Sequence, residues 1–375
     1  MTDYRKLVPA HVQKLTSYKP GKPLRQAELE SGMRCIKMAS NENPFGPSPL
    51  AIEAMETAAH EGNFYPDNCV TELTGRLAEI HEVEPAQVLV TAGSSALLDI
   101  MARTLLGPGL NAITSKLSFI VYPIVTRATG AQFIEVPTLN DGYDLDRILE
   151  AVDVNTRLIY LSNPNNPTGT VVGADAIDHF LDQLPPQVVT VLDEAYCDYA
   201  GYFAAERGFE YSHALDYVRQ ERRVVVLRTF SKAHGLAGVR VGYGMGPAEL
   251  MGYFARLKPA FMVSSLAEAA ALAALADAEH VQRALETNAT EAKLLIPAIS
   301  EMGIRVTPTW TNFLFCRVSE DAGGLCRALQ DEGVIVRHMS GSWGAPDAFR
   351  VTIGTPEQNQ HLLKALKRAM SRIPA

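Results

Sequence analysis

The sequence predicts an α/β fold in which a large domain built on a mainly parallel seven-stranded sheet is joined to a smaller α/β domain. Three observations carry that expectation. From about residue 75 to 265, β-branched runs alternate with amphipathic helical stretches, the pattern of a parallel sheet covered by helices. Beyond Ser264 the rhythm changes to a long Ala-rich helix followed by shorter strands. At 375 residues the chain also exceeds the size at which single cores stop growing.

The strands of the large sheet are expected at 87–91, 112–114, 132–136, 157–161, 188–192, 224–228 and 240–244. The smaller domain should hold strands at 305–307, 312–317, 334–336 and 349–353, with a helix near 325–331. Pro9, Pro20 and Pro23 punctuate an opening stretch of weak periodicity. Residues 1–40 therefore read as an arm packing on the body or on the small domain, 41–265 as the large domain and 266–375 as the small one.

Composition narrows the function. The net charge of -8 and a pI near 5.6 supply no basic footprint for nucleic acid or an anionic membrane, so small molecules are the expected ligands. The cysteines, Cys35, Cys69, Cys197, Cys316 and Cys326, are odd in number and form no C-x-x-C pair, which argues against a disulfide framework or a zinc site. MTDYRKLVPAHVQKL lacks the apolar run of a signal peptide, and Glu268 interrupts the Ala-rich stretch 266–276, so a cytoplasmic protein with no membrane segment and no metal is expected.

Three expected strands end in polar segments: 158–161 runs into SNPNNPTG, 188–192 into DEAY and 224–227 into RTFSK. Ligands of open α/β sheets gather at the carboxyl ends of strands. Helix caps and turns account for each segment alone but not for the three together. In SKAHGLAGVRVGYG, Lys232 leaves a buried strand, where a lysine can form a Schiff base with an aldehyde, while Ser231 and Arg240 suit a phosphate. Asp193 ends a buried run and needs a cationic partner, either an arginine or a protonated ring nitrogen. Asn166 and Tyr196 are placed to reach the oxygen of the same ligand, although Asn-Pro sequences also simply make turns. VLVTAGSSALLDI offers a strand, a turn at Gly93 and a helix whose first amides, from Ser94 and Ser95, suit an anion; helix capping by serine is just as common. Phe119, in LSFIVYP, reads either as a core residue or as a ring stacked on the ligand.

Taken in order, SNENPFG, YPD at Tyr65, AGSS, NPNNPTG, DEAY, TFSKAHGLAGVRVGYG and RVTIGT resemble the aminotransferases of the aspartate aminotransferase fold, specifically the histidinol-phosphate aminotransferase group, over residues 40–355. The resemblance implies fold type I of the pyridoxal-phosphate enzymes and pyridoxal 5'-phosphate as cofactor. It implies Lys232 as Schiff-base lysine and proton shuttle, Asp193 against the pyridine nitrogen, and Asn166 and Tyr196 on the phenolic oxygen. Phe119 would stack on the ring, and Ser231, Arg240 and the Ser94 and Ser95 amides would hold the phosphate. A homodimer follows, with Tyr65 reaching the neighbouring subunit's cofactor phosphate.

By the same resemblance Arg350 in FRVTIGT binds a substrate anion, Arg337 in VIVRH is a second anion-binding arginine, although it also reads as a solvent-facing strand residue, and Tyr18 and Asn41 are substrate contacts. Two arginines suit a phosphate dianion better than a lone carboxylate. The expected reaction is therefore amino transfer between histidinol phosphate and 2-oxoglutarate, with an aromatic amino acid as alternative donor. Phosphothreonine decarboxylation and a non-catalytic cofactor-binding regulator are further readings, although no helix-turn-helix or basic extension precedes Tyr4. The chain departs from the family's usual pattern at Phe119, often tyrosine, and at Ser95 and Ala96, where an acidic pair is usual.

Overall fold

The structure, a computed structural model, describes residues 3–15 and 24–372. In chain order its strands are β1 (Ile36–Lys37), β2 (Val88–Thr91), β3 (Asn111–Ser115), β4 (Gln132–Val136), β5 (Thr156–Ser162), β6 (Val189–Asp193), β7 (Val224–Thr229) and β8 (Gly242–Met245). Then follow β9 (Arg305–Val306), β10 (Phe313–Arg317), β11 (Val334–Ile335), β12 (Arg337–His338) and β13 (Ala348–Thr352).

The large sheet has seven strands in the order β2-β8-β7-β6-β5-β3-β4. β8 runs antiparallel to both its neighbours, and the remaining pairs are parallel. A parallel return needs a long crossover, usually a helix; the segment 230–241 between β7 and β8 forms only turns, so β8 comes back antiparallel. Successive residues of a strand point to opposite faces. In β5, Ile159 and Leu161 join the core under helices Thr71–His81, Ala174–Asp182 and Ser265–Ala276, while Leu158 and Tyr160 join the core under Ser94–Leu105 and Ala248–Leu257. Burial on both faces explains why these strands read as unbroken apolar runs.

A four-stranded antiparallel sheet of order β12-β13-β10-β9 sits over helices Ala278–Ser300, Gly323–Asp331 and Pro356–Arg372, around a core that includes Leu314, Val351, Leu325 and Leu366. β1 pairs parallel with β11, which brings Met38 into that same core. The long Ala-rich helix expected after Ser264 is two helices, Ser265–Ala276 and Ala278–Ser300. Asp277 separates them, its carboxylate accepting from the His280 amide (3.1 Å) and capping the second helix. Among the described residues no helix is long and apolar enough to cross a membrane, and no group of three His, Cys, Asp or Glu side chains is arranged for a metal ion.

Candidate active site

The carboxyl ends of β5, β6 and β7 open on a cavity of about 160 Å³. Ser94, Ser95, Phe119, Asn166, Asp193, Tyr196, Ser231, Lys232 and Arg240 all line it, together with Ser162 and Thr229. Asp193 is the last residue of β6 and is 3% exposed. Its Oδ2 accepts from the Tyr122 hydroxyl at 2.9 Å and its Oδ1 from the Ala195 amide at 3.3 Å. Burial pushes its carboxyl up to about 6, against the pull of the Tyr122 hydrogen bond and the Lys232 charge. Lys232 follows β7, and its Nζ stands 5.4 Å from the centre of the Tyr196 ring. The Tyr196 hydroxyl accepts from Asn41 Nδ2 at 2.8 Å.

At another wall of the cavity, helix Ser94–Leu105 begins after Gly93, which offers no side-chain cap to the first amides. Arg240, at φ 64, lies against that turn with its Nη1 2.8 Å from the Ala237 carbonyl and 3.5 Å from Ser231 Oγ. Two glycines allow the approach. A Cβ on Gly93 would stand 2.5 Å from Arg240 Nη2, and one on Gly242 would stand 2.6 Å from the Ser94 nitrogen. The positive backbone angle at Arg240 also explains why β8 begins at Gly242 and not at residue 240.

Arg350 lies on β13, is 7% exposed, and donates from Nη1 to Asn166 Oδ1 and from Nη2 to the Ala39 carbonyl at 2.9 Å. It thereby ties the smaller sheet to the cavity wall. Arg337 on β12 is the direct antiparallel partner of Arg350, so both side chains leave the same face of the sheet. Asn41, buried at φ 56, donates its amide to Thr352 Oγ1 (2.9 Å), while its carbonyl accepts from Asn312 (3.1 Å). Tyr65 is not among the cavity's lining residues: it is 83% exposed and stacks on Phe261 with ring centres 4.6 Å apart. Tyr18 lies outside the described residues.

Sequence reasoning missed Tyr122, Asn312 and Thr352. Tyr122 was the findable one: it stands one turn after Phe119 in an apolar stretch, and a buried tyrosine needs a partner for its hydroxyl. It stacks flat on Tyr160, ring centres 4.6 Å apart, which fixes the hydroxyl on Asp193.

A buried carboxylate, a row of uncapped amides with an arginine beside them, and a lysine on the turn after β7 share one cavity. Such a site would suit a flat, cationic, phosphorylated ring, and pyridoxal 5'-phosphate fits its donor set, in which Asp193 could meet the ring nitrogen, the Gly93 turn with Arg240 the phosphate and Lys232 the aldehyde. Comparison with known proteins agrees. The family description "Aminotransferase class I and II" matches residues 33–366. A histidinol-phosphate aminotransferase 2 of Pseudomonas aeruginosa is 42% identical, covering 99% of this chain and 100% of that protein. A histidinol-phosphate aminotransferase of Akkermansia muciniphila is 40% identical over 96% of this chain and 98% of its own length. The crystal structure of the Sinorhizobium meliloti histidinol-phosphate aminotransferase in complex with pyridoxal-5'-phosphate superposes with a TM-score of 0.87 at 27% identity, covering 98% of each chain. The chain belongs to the class I and II aminotransferases, a pyridoxal-phosphate-dependent family.

Proposed function

We propose that the chain transfers the amino group of histidinol phosphate to 2-oxoglutarate, giving imidazole acetol phosphate and glutamate, a step of histidine biosynthesis. The observation that carries this reading is the direct opposition of Arg337 and Arg350 on β12 and β13. Like charges opposed on one sheet face repel, and a dianionic phosphate between them turns that repulsion into two charge-assisted contacts. The names of the relatives support it.

Bound pyridoxal phosphate supplies an aldehyde for the amine and an electron sink for the charge left when Cα is deprotonated. In this reading the Lys232 amine holds the aldehyde and then carries the proton from substrate Cα. Asp193 keeps a negative charge against the ring nitrogen, and Asn166 and Tyr196 hold the phenolic oxygen. The Ser94 and Ser95 amides, Ser231 and Arg240 hold the cofactor phosphate, with Phe119 against the ring. Arg350 holds a substrate anion, Arg337 and Tyr18 complete the anion site, and Asn41 is a further substrate contact that also donates to the Tyr196 hydroxyl. Orienting Cα toward Lys232 is what these anion contacts contribute to the rate.

The enzyme acts in the cytoplasm as a homodimer in which Tyr65 reaches the partner's cofactor phosphate; its exposure and stacking on Phe261 support that role. We divide the chain into an arm at 1–40, a cofactor-binding domain at 41–265 and a smaller domain at 266–375, except that helix Ser265–Ala276 packs in the core of the large sheet and so belongs with the cofactor-binding domain. Steady-state kcat/KM for histidinol phosphate, phenylalanine, tyrosine and phosphothreonine tests the substrate. Histidinol phosphate should exceed the others by at least about tenfold; a preference for phenylalanine or tyrosine would make the enzyme an aromatic aminotransferase instead.

A further inference from the structure

One aromatic side chain beside the smaller sheet, Trp343, lies against Arg337 and is not used by the reaction above. Trp343 closes the short turn Gly341–Trp343 between β12 and β13, with Gly341 and Gly344 each at φ 66. The central carbon of the Arg337 guanidinium stands 5.0 Å from the Trp343 ring centre. An aromatic face attracts a cation without cancelling its charge. A carboxylate in the same place would compete with any anionic ligand for Arg337. The ring therefore holds one face of the guanidinium without bringing a negative charge to it.

The other edge of the ring reaches the cavity wall. Trp343 packs with Phe315 of β10, with Met339 just after β12 and with Leu117, and lines a recess beside Phe119. Its Nε1 is sealed from solvent and meets no acceptor among the described residues, so the indole is held there by its faces and not by a hydrogen bond. One side chain thus joins the arginine on β12 to the loop whose Phe119 lines the cavity.

We propose that Trp343 is the positioning residue for Arg337, setting its guanidinium beside Arg350 so that the pair selects a substrate carrying a dianionic phosphate. The inference rests on the histidinol-phosphate reading and deepens it. Trp343→Phe keeps an aromatic face; Trp343→Leu and Trp343→Met remove it, and Met preserves more of the volume should the Leu variant fail to fold. Each is compared as holoenzyme with wild type and Arg337→Ala. Trp343→Leu and Trp343→Met are expected to raise KM for histidinol phosphate about fivefold or more with kcat nearly unchanged, and Trp343→Phe to stay within about twofold. Phenylalanine turnover should change by less than about twofold in all three. Calorimetric binding of inorganic phosphate should weaken in the same order. If Arg337→Ala separates the two substrates but Trp343→Leu and Trp343→Met do not, the role of Trp343 is overturned while the substrate reading stands. If Arg337→Ala does not separate them, the substrate reading fails and takes this inference with it. Equal loss on both substrates, or a Phe variant as damaged as the Leu variant, would show a packing role and overturn the proposal.

Discussion

Lys232 and Asp193 meet in one cavity because β6 and β7 are parallel neighbours ending at the same edge of the sheet. Lys232→Ala should abolish turnover yet leave a protein that still binds the cofactor through Asp193 and the Gly93 turn. Borohydride reduction of wild type followed by peptide mapping should then find the cofactor on Lys232 alone; label on another lysine contradicts the assignment. Asp193→Asn should fold but lose more than about 2 kcal/mol of transition-state stabilisation, since an amide cannot hold the ring nitrogen's proton. A kcat within threefold of wild type speaks against that role. Arg337→Ala should lower kcat/KM for histidinol phosphate by at least about tenfold and leave phenylalanine within a few-fold. Arg350→Ala, which also frees Asn166 and the Ala39 carbonyl, should depress every substrate. The residues legible in the sequence were those carried by strand-end motifs. Those it hid act through partners far along the chain, as Asn312 does on Asn41 and Tyr122 on Asp193, and no local pattern records such a pairing.

At the scale of elements, the expected strands of the large sheet all appear with ends shifted by a residue or two, because long apolar runs bounded by turns carry a strong signal. The two-residue strands β1 and β12 were not expected: neither IK nor RH offers the apolar run that marked the equally short β11. Helix Thr71–His81 shows how one element's end governs a pH response. Its His81 Nε2 lies 2.8 Å from the Tyr243 hydroxyl on β8, and the two rings stack. Burial, then the charges of Arg228 and Arg219, push the imidazole down to about 4 from an ordinary 6.5. The unfolded chain therefore takes up a proton that the folded one refuses. Stability from this group is present above pH 6.5 and is lost as pH falls through about 4, a loss of about 3 kcal/mol. In cofactor-free protein Asp193 works in the opposite sense: raised from 3.8 to about 6, it contributes stability below 3.8 that is lost as pH rises through about 6. The two partly cancel between them. Urea unfolding of the cofactor-free protein at about pH 4.5 and about pH 7 should show Asp193→Asn losing more stability on acidification than wild type does. Parallel behaviour of the two proteins would show that these groups do not oppose each other.

For the whole molecule the sequence foretold two sheets and their order along the chain, but not that the segment before Asn41 pairs with β11, since parallel pairing leaves no mark on either short strand. Nor does one chain's sequence show a subunit contact. If Tyr65 acts across an interface, mixing Tyr65→Ala with Lys232→Ala subunits should create dimers with one native site. Activity should recover to roughly a quarter of wild type after random exchange; no recovery above the unmixed variants counts against Tyr65 acting in the partner's site. The pairing of β1 with β11 has a further consequence for synthesis. About 300 residues separate the two strands, and at 5–20 residues per second a ribosome needs roughly 15–60 s to make them. Throughout that interval Ile36 and Met38 have emerged without the core that will cover them, so the nascent chain displays an apolar segment for chaperones to hold until its last third is made.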